Sequence, residues 1–363
     1  MRKRRASILL LLGVVVALSI AAAAQRTPTP STAKANPANT TASIVAAARA
    51  LTSALDEGGR AKVQFSFEGP QKTRWSNLPT GIFERQGLRM GDLTPAQRSA
   101  VMNVLQAALS ADGYRKVTDI MRGDEVLRTT GSGAPPGRGG GGRGRGGPGG
   151  GGLIFGQDEY YLAFLGTPST TSPWLLQFGG HHLAINLTLA GSEASMTPSL
   201  PAAQPATYTF EGKEIRPLGK ENDKAVALID ALDATQKAQA ILGSRVADLV
   251  LGPGQDGRVI QPEGIRASAL TPAQQTMLLD LVREWAGIVN DAFGEPRMAE
   301  IRTNLPQTYF AWSGPTTGGS AAYFRVQGPT LVIEYAPQQG SVDHIHTIYR
   351  DPTNDYGAKL TPK

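Results

Sequence analysis

The chain has only four histidines, and they occur as two close pairs. His181 and His182 are adjacent in FGGHHLAINLTL, whereas His344 and His346 are separated by one residue in DHIHTIYRDPTNDYG. Side chains two residues apart on an extended strand point to the same face. The imidazoles of His344 and His346 can therefore reach one metal ion. Imidazole ligands completed by a carboxylate suit zinc or another first-row metal, so the sequence predicts a site for one divalent transition metal.

The segment around the first pair indicates which of its two histidines is the better ligand. On a strand over 181–189, His182 lies on a polar face with Asn186, whereas His181 lies on the apolar face. His182 is therefore the preferred third ligand. All four histidines are candidates for the metal site.

Two carboxylates near the second pair are candidate catalytic bases. If the strands at 330–335 and 344–349 form a hairpin, Glu334 faces the same side as the histidine pair, and Asp351 follows the second strand closely. A metal ion lowers the pKa of a bound water, which can then attack an ester, amide or glycosyl-derived bond with one of these carboxylates as base. The sequence predicts a metal-dependent hydrolase on this basis.

A structural role for the histidines remains open beside this hypothesis. The imidazoles can instead form a buried hydrogen-bond network with Asp343, Arg350, Asp351 and Asp355 that fixes the C-terminal segment. No HExxH motif supports the metal site. The chain also has no cysteine, no G-x-S-x-G elbow and no phosphate loop. Whether the protein is an enzyme stays open at this point.

Helices in the body of the chain share one start pattern. A cap residue is followed three positions later by glutamine, and apolar residues then recur at helical spacing. The three predicted capping boxes are Thr94 with Gln97, Asp233 with Gln236, and Thr271 with Gln274. Pro95 and Pro272 follow the two threonine caps as first helical residues. The repeated pattern suits either an internal duplication or convergent use of one capping signal.

Strands flank these helices in the sequence. Seven segments alternate apolar and polar residues or are rich in β-branched and aromatic residues: 63–67, 160–166, 181–189, 206–210, 321–328, 330–335 and 344–349. Strands therefore lie on both sides of the helices along the chain. We predict an α+β fold, with capped amphipathic helices packed on a mainly antiparallel sheet, as a single domain over 43–363.

The N-terminus predicts export. A basic run at 2–5, an apolar run at 8–20 and small residues before Gln25 form a secretory signal peptide, 1–24. The mature protein is expected in the periplasm or outside the cell, without stable membrane insertion after cleavage. The next segment, 25–42, reads as a disordered leader.

Net charge does not favour a nucleic-acid partner. Four of the basic residues behind the formal charge of +6 lie in the signal peptide, and three arginines lie in the Gly/Arg-rich segment 131–152, so the remaining chain carries −1. Glycine this dense cannot bury enough apolar surface to offset its chain entropy. We predict that 131–152 is a flexible insertion.

Several motifs together resemble the family catalogued as domain of unknown function 3500. They are RWSNLP (74–79), RQGLRMGDLTPAQR (85–98), LSADGYRKVTDIM (109–121), FLGTPSTTSPWLLQFGGHHLAINLTL (164–189), AWSGP (311–315) and GPTLVIEY with DHIHTIYRDPTNDYG. The resemblance covers nearly the whole mature chain. It implies no activity, because the family has none established.

The resemblance also points to polar and aromatic residues in its densest motifs. If these residues line a pocket, the resemblance implies that they bind the substrate. They are Trp75, Asn77, Trp174, Asn186, Trp312, Arg350 and Asp355. They suit a second function class, a non-enzymatic envelope protein that binds a small molecule or glycan and uses its histidines structurally. Tryptophans also serve as core residues. Convergence of His182, His344 and His346 in space distinguishes the metal site from a binding cleft.

Overall fold

The computed structural model describes residues 36–131 and 152–361. The predicted signal peptide lies outside these residues, as do most of the leader and nearly all of the Gly/Arg-rich insertion. The first helix begins at Pro37, inside the predicted leader, where the Asn36 side chain caps it by accepting hydrogen bonds from two backbone amides. Regular structure therefore begins a few residues before the predicted domain start at 43.

The described residues contain eight α-helices and fourteen strands. The helices are α1 Pro37–Ala54, α2 Glu57–Val63, α3 Pro95–Ala108, α4 Ala111–Thr130, α5 Gly219–Ala231, α6 Ala234–Ala240, α7 Pro272–Ala286 and α8 Asp291–Asn304. The strands are β1 Gln64–Phe65, β2 Leu88–Arg89, β3 Tyr161–Leu165, β4 Trp174–Gly180, β5 Leu183–Ala190, β6 Glu193–Ser195, β7 Leu200–Pro201, β8 Tyr208–Phe210, β9 Lys213–Ile215, β10 Ile265–Arg266, β11 Tyr309–Ser313, β12 Tyr323–Gly328, β13 Leu331–Pro337 and β14 Ile345–Arg350.

Two larger sheets organise the protein. The first has seven strands in the order β1-β3-β4-β5-β6, with β2 paired to β3 and β7 paired to β5. The second has five strands in the order β10-β11-β12-β13-β14, and β8 and β9 form a separate two-stranded sheet. All pairs are antiparallel except β1 with β3. The predicted α+β fold with mainly antiparallel pairing is confirmed.

The three predicted capping boxes are present at the starts of α3, α6 and α7. In each box the cap side chain accepts from the backbone amide of the third helical residue, whose glutamine oxygen accepts from the cap amide. Proline occupies the first position of α3 and α7, where no intrahelical donor is lost. Short-range chemistry thus sets these helix starts.

The two halves of the body repeat the same order of elements. Two helices, a short strand, two further helices and a three-stranded meander occur as α1-α2-β2-α3-α4-β3-β4-β5 and again as α5-α6-β10-α7-α8-β11-β12-β13. In the first half β1 runs parallel to β3, and in the second Ile241 makes a parallel bridge to Trp312 of β11. The structure therefore shows an internal repeat, which the capping pattern alone left open.

One segment between the halves brings their sheets together. Within 199–203, β7 pairs with β5, while Ser199 and Ala203 bridge to Tyr349 and Ile345 of β14. The end of β5 that follows the first histidine pair therefore lies near the start of β14, which carries the second. Two hydrophobic cores, one for each half, support this arrangement. Among the described residues, no helix is both long and apolar enough to cross a membrane.

Candidate metal centre

The first histidine pair forms the two-residue turn between β4 and β5. Gly180 and Leu183 are paired across the hairpin, so His181 and His182 occupy the turn. The predicted strand over 181–189 was therefore wrong at these two residues, because β5 begins at Leu183. His182 has φ of 62°, in the left-handed region that non-glycine residues adopt uncommonly. Its carbonyl accepts a hydrogen bond of 2.8 Å from the Ala202 amide. A conformation of this kind is held in place by its surroundings and often marks a functional position.

Three imidazoles converge at this turn. His346 lies on β14 and His344 immediately precedes that strand. The Nε2 atom of His344 is 3.0 Å from Nε2 of His182 and 3.1 Å from Nε2 of His346. Ligand nitrogens of a tetrahedral zinc ion are about 3.3 Å apart, given Zn–N bonds of about 2.0–2.1 Å. These two distances are close to the spacing that one metal ion requires, and ligand atoms of all three histidines lie within 4.8 Å of one another.

Two carboxylates hold the outer ring nitrogens of this group. Asp124 Oδ1, from α4, lies 3.0 Å from His182 Nδ1, and Asp248 Oδ1, from the loop 241–264, lies 3.1 Å from His346 Nδ1. Metal-bound histidines commonly donate their second ring N–H to a carboxylate, which fixes the tautomer and raises the basicity of the ligand nitrogen. Neither aspartate was predicted as a site residue from the sequence.

The hydrogen count leaves the Nε2 lone pairs of two rings directed into the centre. A carboxylate only accepts, so we assign hydrogens to Nδ1 of His182 and His346, which leaves their Nε2 atoms as bare acceptors. Nε2 of His344 faces both of these atoms. One hydrogen on it can be donated to only one of these acceptors, and Nε2 of His346 can also accept from Asn77 Nδ2 at 3.2 Å. A metal ion bound by all three nitrogens would use the same lone pairs.

Burial keeps two of the imidazoles, those of His182 and His344, neutral. His182 is 1% exposed, and burial, together with the neighbouring His181, holds its pKa well below the usual value. Burial and His346 likewise lower the pKa of His344 to about 3. Although burial alone would raise the pKa of Asp124, contacts with His181 and His182 hold it below its usual value. The site thus combines neutral imidazoles with an ionised carboxylate, the protonation states that metal binding needs.

His181 supports the group and does not join the converging nitrogens. Its Nδ1 lies 3.0 Å from Asp124 Oδ1, and its ring packs 3.5 Å from the His182 ring, between centroids. Phe155 covers it at 5.0 Å. The Tyr160 hydroxyl lies 2.7 Å from Asp124 Oδ2 and 2.8 Å from the His181 carbonyl oxygen, and its one hydrogen can be donated to either acceptor. Of the four predicted ligands, His182, His344 and His346 therefore form the centre.

Asn77 is the predicted binding residue that contacts this centre. Its Nδ2 lies 3.2 Å from His346 Nε2, and the side chain is buried. Rotation of the amide exchanges Nδ2 for Oδ1, which would present an oxygen to an ion or its ligand. His344 is only partly buried, and the Asp248 side chain is 47% exposed, so the centre opens to solvent on that side.

The two predicted catalytic carboxylates have other partners. Both oxygens of Glu334 accept hydrogen bonds, from the backbone amides of Val250 and Leu251 and from the Tyr323 hydroxyl. Glu334 does share a sheet face with His346. Ala336, two residues further along β13 and therefore on the same face as Glu334, is paired with His346. Its carboxylate nevertheless anchors the loop 241–264.

Asp351 lies beyond the far end of β14 from the histidines. Its oxygens accept from the backbone and hydroxyl of Thr353 and pair with Arg297 at 3.1 Å. Neither Asp351 nor Glu334 is positioned as a base for the histidine centre.

The remaining predicted binding residues contact other parts of the protein and not the histidine centre. Trp174 and Trp312 are 0% and 2% exposed and belong to the cores of the two halves. Trp75 is buried and donates to the Tyr356 hydroxyl. These tryptophans pack inside the protein and do not form a binding platform.

The polar members of this set also have structural partners. Asn186 donates to the Pro198 carbonyl and accepts from Gln177. Arg350 donates to two loop carbonyls and pairs with Asp256 and Asp355. The predicted network of Arg350 with Asp355 exists, but it is separate from the histidine cluster.

The internal repeat explains two of these placements. Gln177 of β4 pairs with Asn186 of β5, and in the same position of the second half Arg325 of β12 pairs with Glu334 of β13. Equivalent positions therefore hold buried polar side chains in both halves. The turn corresponding to His181 and His182 contains Pro329 and Thr330, so this turn of the second half lacks histidines.

Comparison with known proteins places the chain in a family. A family model described as "Protein of unknown function (DUF3500)" matches residues 37–358. The chain belongs to the DUF3500 family. The match of this DUF3500 protein spans both repeats, both histidine pairs and the two aspartates at the centre. No curated protein and no solved structure matches the chain.

Proposed function

We propose that this DUF3500 protein is a metal-dependent hydrolase whose ion is held by His182, His344 and His346. The observation that carries the proposal is the convergence of three imidazoles, in which His344 Nε2 lies 3.0 Å and 3.1 Å from the other two Nε2 atoms, while carboxylates hold Nδ1 of those two rings. Zinc fits this all-imidazole donor set well, and other first-row divalent ions are alternatives. Three protein ligands leave a coordination position free for a water or substrate, as in catalytic zinc sites.

The chemistry follows from this donor set. A divalent ion supplies Lewis acidity and can lower the pKa of a coordinated water to about 7, so that a separate carboxylate base is not required. Asp124 and Asp248 orient the imidazoles and keep their Nε2 atoms deprotonated. Asn77 lies within hydrogen-bond distance of the centre and can orient the substrate carbonyl or the attacking water. Partial exposure of His344 and Asp248 provides the route for substrate.

The binding-protein alternative loses its main support. It required Trp75, Trp174 and Trp312 to line a cleft for a small molecule or glycan, and all three are buried. The histidines, by contrast, meet the geometric condition that distinguishes the metal site. We therefore favour catalysis over passive binding.

We also propose that the protein acts outside the cytoplasm. The basic and apolar runs at the N-terminus and the small residues before Gln25 support export. A chain without cysteine needs no disulfide to fold there. Fusion of residues 1–30 to a reporter that is active only after export tests this point. Reporter activity equal to that of a fusion lacking residues 1–24 would contradict it.

Hydrolysis is tested with protein loaded separately with zinc, manganese and iron. Each form is assayed against esters, amides, glycosides and phosphoesters that release a chromophore. We expect turnover of at least one class, and a loss of about 100-fold or more in the His344→Ala variant. A folded protein that binds metal stoichiometrically but hydrolyses nothing in the panel would refute the hydrolase proposal and leave the metal centre intact.

A further inference from the structure

Two loops meet beside the histidine turn. The Ile154 amide donates to the Thr80 carbonyl at 3.0 Å, which joins the loop 76–83 to the segment 152–156. Gly81 has φ of +100°, and a Cβ placed on it would lie 2.9 Å from the Gly152 carbonyl oxygen. Only glycine allows this close approach without displacement. The contact between the loops is therefore a built feature of this part of the surface.

The joined loops expose an apolar surface, which we call the apolar rim. It consists of Leu78, Ile82, Leu153 and Ile154, whose exposed fractions are 41%, 58%, 36% and 49%. These are half of the eight large hydrophobic side chains that are exposed among the described residues. Single exposed hydrophobic residues need no explanation, but a group of four on two joined loops does.

Two rim residues are next in sequence to residues that contact the histidines. Leu78 follows Asn77, whose amide is 3.2 Å from His346 Nε2. Ile154 precedes Phe155, whose ring packs 5.0 Å from the His181 ring. One loop thus leads from a contact with the centre to the rim, and the other leads to the rim from the aromatic side chain that covers His181.

The size and charge of the apolar rim favour a small occupant. Four partly exposed side chains cannot supply the roughly 800 Å² that each partner buries in a stable protein interface. The residues 76–83 and 152–156 contain no lysine or arginine, and the adjoining Arg85 guanidinium donates to the Ser76, Leu78 and Gly180 carbonyls. Surfaces that dock on anionic membranes, by contrast, are rich in basic residues. One alkyl chain lying from the rim to the centre matches both observations.

We propose that the substrate carries an aliphatic chain that packs on the apolar rim while its ester or amide carbonyl reaches the metal centre. This inference rests on the proposed hydrolase function and names its substrate class. The chain contributes binding energy through apolar burial, and the centre performs the hydrolysis. Affinity should rise with chain length until the rim is covered.

Alkyl hydroxamates of increasing length test the inference on zinc-loaded full-length protein, because the hydroxamate binds a metal with an open position and no turnover is needed. Aceto-, hexano- and octanohydroxamate are compared by calorimetry. We expect the Kd to fall about twofold to threefold per added methylene, below the roughly fourfold of complete burial. The Ile82→Ser/Ile154→Ser double variant should bind acetohydroxamate normally and lose most of the chain-length effect.

Val259→Ser is the matched control, because Val259 is 78% exposed and lies on another loop; it should retain the full effect. Equal binding of all chain lengths, or a chain-length effect unchanged in the double variant, would overturn the inference and leave the metal centre standing. Failure of every hydroxamate to bind would instead refute the open metal centre, and the inference with it. A further outcome would assign the apolar rim to membrane binding instead of substrate binding. In that outcome the wild type, but not the double variant, binds phosphatidylglycerol vesicles, and hydroxamates show no chain-length effect.

Discussion

Replacement of Asp248 by asparagine should weaken metal binding and leave the fold largely unchanged. Asp248 Oδ1 lies 3.1 Å from His346 Nδ1 and accepts from the Leu249 amide at 2.8 Å. Asparagine keeps the size of the side chain and an acceptor oxygen, but it removes the charge that strengthens the hydrogen bond to the imidazole. Loss of such a carboxylate typically lowers metal affinity about 10-fold to 100-fold, or about 1.4–2.7 kcal/mol.

Folding stability should change much less in Asp248→Asn. The side chain is 47% exposed, and a contact at that exposure contributes at most about 1 kcal/mol. Zinc affinity is measured by competition with a chromophoric chelator, and the free energy of unfolding of the metal-free protein by urea denaturation. Asp92→Asn is the matched control, because its side chain is 51% exposed and pairs with Arg89. Zinc affinity within twofold of wild type in folded Asp248→Asn, or an equal loss in the control, would refute our account of the centre.

Three further predictions concern the anchoring of the loop, the buried imidazoles and the repeated caps. Glu334→Gln should lower the free energy of unfolding by about 2–3 kcal/mol, because it weakens three hydrogen bonds to a buried carboxylate. Hydrolysis per bound zinc should persist in this variant. Loss of hydrolysis would instead indicate that Glu334 is a catalytic base. For the metal-free protein, the pKa of His344 is about 3 in the folded state and near 6.5 in the unfolded state. As the pH decreases, the unfolded chain therefore binds the proton first. The free energy of unfolding should be highest above pH 6.5 and should fall as the pH decreases towards 3. Urea denaturation at pH 7.5, 6.0 and 5.0 should give a shallower loss in His344→Gln, and an unchanged slope would contradict neutral burial. Thr271→Ala should cost about 1 kcal/mol in the same assay by removing a cap, whereas no loss would show that tertiary packing alone holds α7.

Local sequence signals predicted the features that depend on neighbouring residues. The capping boxes at Thr94, Asp233 and Thr271 are formed because each needs only a cap and a residue three positions later. His346 lies on a strand as predicted, with His344 directly before it. The turn at His181 and His182 was missed, because an alternating pattern runs through it and the strand was extended across both residues.

The aspartates of the centre depend on contacts between distant segments. Asp124 did carry a signal: in α4 it occupies an apolar stripe with Val117, Ile120, Met121 and Leu127, all of which are buried. An acidic residue in such a stripe needs a buried partner. Asp248 lies in a loop without such periodicity, and nothing local in the sequence distinguishes it from an exposed acid.

For Glu334 the sequence predicted the strand face correctly but not the contacts of the carboxylate. Glu334 was chosen because strand alternation places it on the face of His346, and the register of β13 with β14 agrees. What the sequence did not reveal is that the loop at Val250 and Leu251 covers this face and uses the carboxylate. Alternation along a strand predicts the face to which a side chain points. The group that the side chain contacts there depends on which distant segment covers that face.

The most direct test of the metal centre is metal stoichiometry in the mature protein. The protein is purified without a histidine tag, and its metal content is measured by elemental mass spectrometry beside that of a His344→Ala/His346→Ala variant. Our account predicts close to one equivalent of a divalent transition metal in the wild type, as isolated or after reconstitution, and none in a variant that remains folded. Absence of bound metal after reconstitution with zinc, manganese, iron and copper would contradict it and return the histidines to a structural role.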